Sequence, residues 1–178
     1  MIIFDSSTII LLSKIEILEL FVENFKGKIL IPEKVKFEIS REDKQDYSLV
    51  SGLIKNKKIG IQKAGDEKQI QKLMKDFNIG EGEAEVLVLA LQENAKVVAT
   101  DDRNAIKACK VLKIDFLTAI SILLRAFEKK LIDEERMLIK LQKLKMFGRY
   151  SVPIIEDAVK RIKRREEDGN QNTKHKNE

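Results

Sequence analysis

The chain has 178 residues, of which 43% are hydrophobic and 35% are charged, and its formal net charge is +5 at pH 7. This length and composition indicate one globular domain with a sizeable core. The single cysteine, Cys109, excludes an internal disulfide framework and predicts a reducing, cytoplasmic location, and no apolar stretch approaches the roughly 18 residues of a membrane span.

Apolar runs alternate with helix-like segments through the first two thirds of the chain. The pattern predicts strands at residues 1–5, 28–31, 58–62, 96–100 and 114–117. The segments between them predict helices at residues 8–25 with a break near residue 13, at 33–40, in a stretch ending near 56, and at 66–77, 83–93 and 103–110. Strands that alternate with helices imply an α/β fold with a parallel sheet and right-handed crossovers. The acid inside the first apolar run, with no basic region before it, argues against a signal peptide.

The last third of the chain predicts helices without strands, at residues 118–130, 133–145 and 153–165. We therefore expect a main domain of residues 1–130, a helical extension of residues 131–165 packed on it, and a disordered tail of residues 166–178, which lack apolar side chains. The only histidine, His175, lies in that tail. This position excludes Ser-His and Cys-His catalysis and His-based zinc sites.

The first two C-terminal helices each carry one apolar stripe. The stripes consist of Ile120, Leu123, Leu124, Phe127 and Leu131, and of Met137, Leu138, Leu141, Leu144 and Phe147. Their spacing of three and four residues is typical of a helix that buries one face.

Charge is unevenly distributed along the chain. Residues 1–102 hold 15 Lys and Arg against 18 Asp and Glu, whereas residues 103–178 hold 19 against 11. A basic surface beside an acidic site would suit a polyanionic ligand. The alternative is that Lys and Glu simply cover helical surfaces.

Three acidic residues lie where predicted strands end. Asp5 follows Ile2-Ile3-Phe4, and Asp101 and Asp102 follow Val97-Val98-Ala99-Thr100. Because ligands of open α/β sheets bind beyond the carboxyl ends of the strands, these carboxylates can converge there. Converging carboxylates repel one another unless they share a proton or a cation. The pattern therefore predicts a Mg²⁺ or Mn²⁺ site built from oxygen ligands.

Two further acids come from predicted helices. Glu83 follows Gly82, which leaves room for close approach, and it is favoured over Glu85 because residues two apart point to different sides of a helix. Glu38 lies at the edge of the apolar face of its helix. Each of these acids also has a purely structural alternative, as a helix cap or as a solvated surface residue.

Four motifs, in order, resemble the PIN domain, the fold of VapC-type nucleases. They are Ile2-Ile3-Phe4-Asp5-Ser6-Ser7, Ile31-Pro32-x-x-Val35-x-x-Glu38-Ile39, Gly82-Glu83-Ala84-Glu85 and Val97-Val98-Ala99-Thr100-Asp101-Asp102-Arg103, within roughly residues 1–125. The closer match is an archaeal and bacterial subgroup with Gly-Glu-Ala-Glu and Asp-Asp-Arg motifs. The resemblance implies a three-layer α/β/α fold with a central parallel sheet and extra C-terminal helices, in which residues 1–130 form the nuclease domain.

The resemblance also implies an activity. The chain would be a Mg²⁺- or Mn²⁺-dependent endoribonuclease, the toxin of a toxin–antitoxin pair, that hydrolyses RNA and leaves a 5′-phosphate and a 3′-hydroxyl. Carried over by position, the catalytic metal ligands would be Asp5, Glu38, Glu83 and Asp102, with Asp101 as an open alternative to Asp102, and with Ser7 and Thr100 in support. Many relatives carry Asp where Glu83 stands, which changes the reach of that ligand.

The same resemblance implies three partners: an RNA substrate, a cognate antitoxin and a second copy of the chain in a homodimer. The lack of a long apolar stretch predicts that the chain has no membrane partner. Candidate phosphate contacts are Arg103 and Lys107, one helical turn apart, although surface salt bridging is an equal alternative. The last two helices either cap the sheet or form a groove for an antitoxin segment or RNA. The basic residues at the rim of that groove would be Arg149, Lys160, Arg161 and Arg164.

Two other classes of function stay open. One is a non-catalytic PIN-like subunit that binds RNA or takes part in assembly; the full set of mutually repelling acids argues against it. The other is a metal-dependent phosphatase or a structure-selective DNA nuclease on a similar fold. Contacts to a 2′-hydroxyl leave no signature in composition, so the sequence does not separate RNA from DNA.

Overall fold

Five short strands form the central sheet of the protein, in a computed structural model that describes residues 1–41 and 44–174. The strands are β1 (Ile2–Phe4), β2 (Ile29–Pro32), β3 (Gly60–Gln62), β4 (Val97–Ala99) and β5 (Asp115–Leu117). Their order across the sheet is β3-β2-β1-β4-β5, and every neighbouring pair is parallel. The central strand, β1, is fully buried, as expected for an apolar run in a parallel sheet covered on both faces.

Helices cover both faces of the sheet. In the described ranges they are α1 (Ser6–Lys14), α2 (Leu18–Asn24), α3 (Glu33–Ile39), α4 (Lys44–Lys55), α5 (Glu67–Phe77), α6 (Glu81–Gln92), α7 (Arg103–Leu112), α8 (Ala119–Glu128), α9 (Glu134–Phe147) and α10 (Val152–Lys174). In one layer, α6 packs against β1, β2 and β4 and contacts α5 and α7. The other layer is built around α1, which contacts α8 and α9. The predicted three-layer α/β/α fold is thus confirmed. No helix of the described residues is long and apolar enough to cross a bilayer.

The order in which strands are added to the sheet changes direction between β1 and β4. The chain adds β2 and β3 on one side of β1, then crosses to place β4 and β5 on the other side. β1 and β4 are paired neighbours, with Phe4 opposite Ala99. Their carboxyl ends therefore form a topological switch point, which is where open α/β sheets bind ligands. Asp5 follows one of these strands, and Asp101 and Asp102 follow the other closely.

Helix α6 begins earlier than its sequence pattern predicts. It starts at Glu81 after Gly80 as the N-cap, so that Gly82 lies inside the first turn. In α9 the buried stripe is narrower than expected: Met137, Leu141 and Leu144 are buried, whereas Leu138 is 37% exposed and Phe147 is 48% exposed. Helix α9 packs on α8, α1 and α10, and its buried residues, spaced three and four apart, form a single stripe.

The C-terminal helix α10 is longer than predicted. It continues to Lys174, past the expected end at residue 165, so the tail predicted to be disordered begins as helix. Extending an existing helix costs less than starting one, which explains why a polar sequence can follow. Residues 175–178, including His175, lie outside the described residues.

Candidate active site at the switch point

Asp5 is a buried carboxylate that caps helix α1. It is 2% exposed, and its Oδ1 accepts a hydrogen bond from the backbone N–H of Thr8 at 2.7 Å. The hydroxyl of Ser7 lies 3.1 Å from both carboxylate oxygens. Burial raises the pKa of Asp5 to about 6, although hydrogen bonds from Thr100 and Thr8 oppose that rise, and the charge of Asp101 adds to it. Ser7 and Thr100, the two residues predicted to support the site, therefore both form hydrogen bonds with the Asp5 carboxylate.

Asp101 and Asp102 are adjacent in sequence but have different surroundings. Asp102 caps α7, where its Oδ1 accepts the backbone N–H groups of Asn104 at 2.8 Å and Ala105 at 2.7 Å. Asp101 is held by the hydroxyl of Thr8, which donates to Oδ2 at 2.9 Å, by the backbone N–H of Ala119 at 3.0 Å, and by the hydroxyl of Tyr150. Burial raises the pKa of Asp101, and these hydrogen bonds counteract the rise. Asp101 is thus tied to three separate segments, whereas Asp102 has local partners.

Glu38 reaches the same edge from helix α3. The hydroxyl of Ser6, the residue after Asp5, donates to its Oε2 at 2.5 Å. A Cβ atom placed on Gly82 would lie 2.6 Å from Oε1 of Glu38, so the Glu38 carboxylate would have to move if any other residue stood at this position. The structure therefore gives a physical reason for the glycine in the Gly-Glu-Ala-Glu motif.

Glu83 lies at the start of α6, where it faces other acids. Burial raises its pKa, and the charges of Glu38 and Asp102 raise it further. Its carboxylate folds back over Gly80, whose Cβ position would be 2.6 Å from Oε2. Glu85 points elsewhere: it accepts the backbone N–H of Lys34 at 3.3 Å. Glu83 therefore lies near Glu38 and Asp102, whereas Glu85 contacts Lys34; the choice of Glu83 as a ligand stays a prediction.

Three helix N-termini meet at this edge, and each carries one of the predicted acids. Asp5 lies at the start of α1, Glu83 at the start of α6 and Asp102 at the start of α7. The positive end of a helix dipole stabilises a carboxylate at that position. Among the side chains that the structure describes (residues 1–41 and 46–164), neither Lys nor Arg forms an ion pair with any of the four predicted ligands, although the charge of Lys34 acts on Glu38 from nearby. The helix N-termini therefore compensate part of the negative charge of Asp5, Glu83 and Asp102.

The acids fit a hard divalent cation in chemistry, because they are oxygen donors whose charges repel one another at one sheet edge. As placed, however, they do not enclose an ion: in the part of the chain that the structure describes, no group of three or more His, Cys, Asp or Glu side chains is close enough together to hold a metal. The contacts explain this, since Asp5, Glu83 and Asp102 each turn towards their own helix N-terminus.

The predicted phosphate contacts lie on α7, directly after Asp102. Arg103 and Lys107 are both exposed. Lys107 makes a 3.4 Å contact with the side chain of Asn104. Neither residue is ion-paired within the described ranges, so the salt-bridge alternative finds no support there.

Several residues of this edge were not found by sequence reasoning. Ser6 and Thr8 lie in the Ser-Ser-Thr run after Asp5. Three consecutive hydroxyl residues beside a predicted ligand were the sequence feature that could have identified them. Lys34 forms an ion pair with Glu81 and lies beside Glu38 and Glu85. Tyr150 lies 49 residues from Asp101, and no motif connects the two.

The match to known families is consistent with this geometry. A family model described as a PIN domain, DUF3368, matches residues 1–164. The chain belongs to the PIN-domain family. A search of curated proteins finds none that matches the chain. PIN domains are generally metal-dependent nucleases, which use divalent cations to act on nucleic acid.

Proposed function

We propose that this PIN-domain protein is a divalent-metal-dependent endoribonuclease that acts as the toxin of a toxin–antitoxin pair. One observation carries the proposal: the charges of Glu38 and Asp102 act on Glu83, and Ser6, the residue after Asp5, donates to Glu38. None of these acids is ion-paired with a Lys or Arg side chain that the structure describes. A fold maintained only for assembly gains nothing from such repulsion, which costs stability. This argument also disfavours the non-catalytic alternative.

In the proposed site, Asp5, Glu38, Glu83 and Asp102 would hold Mg²⁺ or Mn²⁺. A bound divalent ion would supply positive charge to the anionic phosphodiester and would activate the attacking water. Asp101 is the weaker candidate ligand because both of its oxygens already accept hydrogen bonds from Thr8, Ala119 and Tyr150. We therefore assign it to the support of the site.

The other residues of the edge have positioning roles. Ser7 orients Asp5 and Ser6 orients Glu38 through their hydroxyl groups. Arg103 and Lys107 would contact phosphates of the substrate, because both are exposed on the helix that begins at Asp102. The net positive charge of residues 103–178 would favour binding of an RNA chain.

The decisive experiment uses the purified full chain with labelled single-stranded RNA and with DNA of the same sequence. We expect cleavage of RNA with Mn²⁺ or Mg²⁺ and none with EDTA. Cleavage of DNA but not RNA would favour the DNA nuclease alternative, and binding without cleavage would favour the non-catalytic one. Replacing Arg103 or Lys107 by Gln should weaken RNA binding and lower the salt dependence of log K by about 0.7 per lost contact.

The proposed assembly is a homodimer that binds an antitoxin segment. Supporting it, large apolar side chains are exposed near the junction of α9 and α10: Met146 at 77%, Phe147 at 48%, Val152 at 59% and Ile154 at 45%. Exposed apolar clusters of this kind are typical of interaction surfaces. Light scattering at high micromolar concentration should give a dimer, and a monomer would contradict this part of the proposal.

A further inference from the structure

Tyr150 connects the C-terminal helices to the active-site edge through one hydroxyl group. It lies in the short segment between α9 and α10. Its hydroxyl donates a hydrogen bond to Oδ1 of Asp101 and accepts one from the backbone N–H of Ile120 at 3.2 Å. Both bonding directions of the phenol are therefore used, and they link three distant segments of the chain.

Close packing holds the aromatic ring of Tyr150 in place. A Cβ atom on Gly148 would lie 2.8 Å from two ring carbons of Tyr150 and 2.8 Å from the carbonyl oxygen of Leu144. The end of α9 therefore leaves space for this ring only because residue 148 is a glycine. Tyr150 also packs against the apolar core, which fixes its direction towards Asp101.

Asp101 is the point at which the segments around the site are joined. It receives hydrogen bonds from Thr8 in the first turn of α1, from Ala119 at the start of α8, and from Tyr150. It also lies between Thr100, which acts on Asp5, and the proposed ligand Asp102. Asp101 therefore joins the end of β4 to the first turn of α1, which follows Asp5, and to the start of α8.

A phenol that donates to a carboxylate makes a charge-assisted hydrogen bond, which is stronger than a neutral one. If this donor is removed, Oδ1 of Asp101 keeps only the longer hydrogen bond from the backbone N–H of Ala119 at 3.3 Å, and the carboxylate is free to move. Catalytic sites lose activity when ligands move by about 1 Å, so the groups that hold ligands matter nearly as much as the ligands.

We propose that Tyr150 is a positioning residue of the nuclease site, which fixes Asp101 and thereby the spacing of Asp5 and Asp102. The C-terminal helices then do more than cover the sheet, because they complete the site from outside the strand-bearing part of the chain. This inference rests on the proposed function, since it concerns the same acids and the same divalent cation.

The test compares Tyr150→Phe, which keeps the ring and removes one hydroxyl, with Tyr47→Phe. Tyr47 is the other tyrosine of the chain and is 39% exposed in α4, so it controls for the chemical change itself. For each full-length variant, we would measure Mn²⁺ affinity by calorimetry, kcat and KM on labelled RNA at saturating Mn²⁺, and thermal unfolding in EDTA. Assays are run well below the unfolding temperature of the least stable variant.

We expect Tyr150→Phe to weaken Mn²⁺ affinity or lower kcat by about 10- to 100-fold, while KM for RNA changes little, and we expect Tyr47→Phe to resemble the wild type. Thr8→Val removes a different hydrogen bond to Asp101, so its combination with Tyr150→Phe should be non-additive in Mn²⁺ affinity. Wild-type Mn²⁺ affinity and kcat in Tyr150→Phe would overturn the inference, as would a loss confined to thermal stability.

Failure of the inference and failure of the proposed function give different results. If the wild type cleaves RNA and Tyr150→Phe cleaves it equally well, only the inference fails. If Mn²⁺ binding depends on Tyr150 but no variant cleaves RNA, the positioning role stands and the proposed activity fails.

Discussion

The two ends of helix α1 carry acidic residues in opposite circumstances. At its start, Asp5 is buried, and burial raises its pKa to about 6. Just beyond its end, Glu16 is exposed, and a hydrogen bond from Lys143 lowers its pKa, with the charge of Lys140 adding to the effect. The Glu16 carboxylate lies 2.8 Å from Lys143 and 3.4 Å from Lys140. One acid has two lysine partners, whereas the other relies on hydrogen bonds and a helix N-terminus.

The contrast between Glu16 and Asp5 distinguishes two kinds of acidic residue. One kind stabilises the folded protein through charge pairs, and the other kind lowers its stability because the carboxylate is buried beside another acid. Glu16 joins α1 to α9 at the surface, where a charge pair contributes modestly. Burial raises the pKa of Asp5 and the charge of Asp101 adds to the rise, so the position of this carboxylate is unfavourable for stability alone. Among the side chains that the structure describes, Asp5 has no Lys or Arg partner, which supports the role proposed for it.

The largest expected effect comes from truncation after Lys130, which removes α9 and α10. Met137, Leu141 and Leu144 of α9 are buried against the rest of the protein. Burial of three such side chains contributes roughly 5–9 kcal/mol, which is comparable to the total stability of about 5–15 kcal/mol of a typical domain. We expect the truncated chain to unfold or aggregate, as followed by circular dichroism and light scattering.

A truncation after Arg164 is the matched control. It keeps Ile162, which is buried at 1% exposure, and should remain folded. If the chain truncated after Lys130 folds and cleaves RNA but loses a partner, the C-terminal helices are a recognition element instead of part of the core.

The second prediction concerns Asp5→Asn, which should lower cleavage at least about 100-fold. It should also keep or raise thermal stability in metal-free buffer. The amide oxygen can still accept the 2.7 Å hydrogen bond from Thr8, while the buried charge and its repulsion from Asp101 disappear. Steady-state kinetics with Mn²⁺ and thermal unfolding in EDTA measure the two effects.

Asp66→Asn provides the control for the same substitution at a helix start. Asp66 caps α5 by accepting the backbone N–H of Gln69 at 2.9 Å, in an exposed position. This variant should cleave RNA like the wild type. Full activity of Asp5→Asn would remove Asp5 from the mechanism.

Much of the fold was predictable because its signals are local. An apolar run that ends in an acid marked the ends of β1 and β4, and the parallel order of the strands brought those ends together. The Gly-Glu-Ala-Glu motif was located by sequence, but its reason, the approach of Gly82 to Glu38, depends on the packing of α3 on α6. The hydrogen bond between Tyr150 and Asp101 was not predictable, because it depends on where α9 ends in space.

The third prediction compares the two lysines near Glu16. The ammonium group of Lys140 donates to the carbonyl oxygens of Ile15 at 2.9 Å and Glu16 at 3.2 Å, and its side chain is 12% exposed. It therefore satisfies backbone acceptors at the end of α1, whereas Lys143 bonds only the Glu16 side chain within the described residues. Lys140→Met should lower the free energy of unfolding by about 1.5–3 kcal/mol, and Lys143→Met by less than about 1 kcal/mol. Equal effects in urea unfolding would contradict this ranking.

The smallest expected effect is that of Glu16→Gln, and it depends on pH. Because the folded-state pKa of Glu16 lies below its ordinary value of 4.5, its charge pairs are fully present above about pH 4.5 and are lost as the pH falls through the folded-state pKa. Glu16 is 68% exposed, so solvent screening should keep the loss in Glu16→Gln below about 1 kcal/mol at pH 7. Urea unfolding of both proteins at pH 7 and pH 3 measures the difference, which should shrink at pH 3. A difference of the same size at both pH values would mean that Glu16 acts through packing, and the contrast between the two ends of α1 would then not be one of charge pairing.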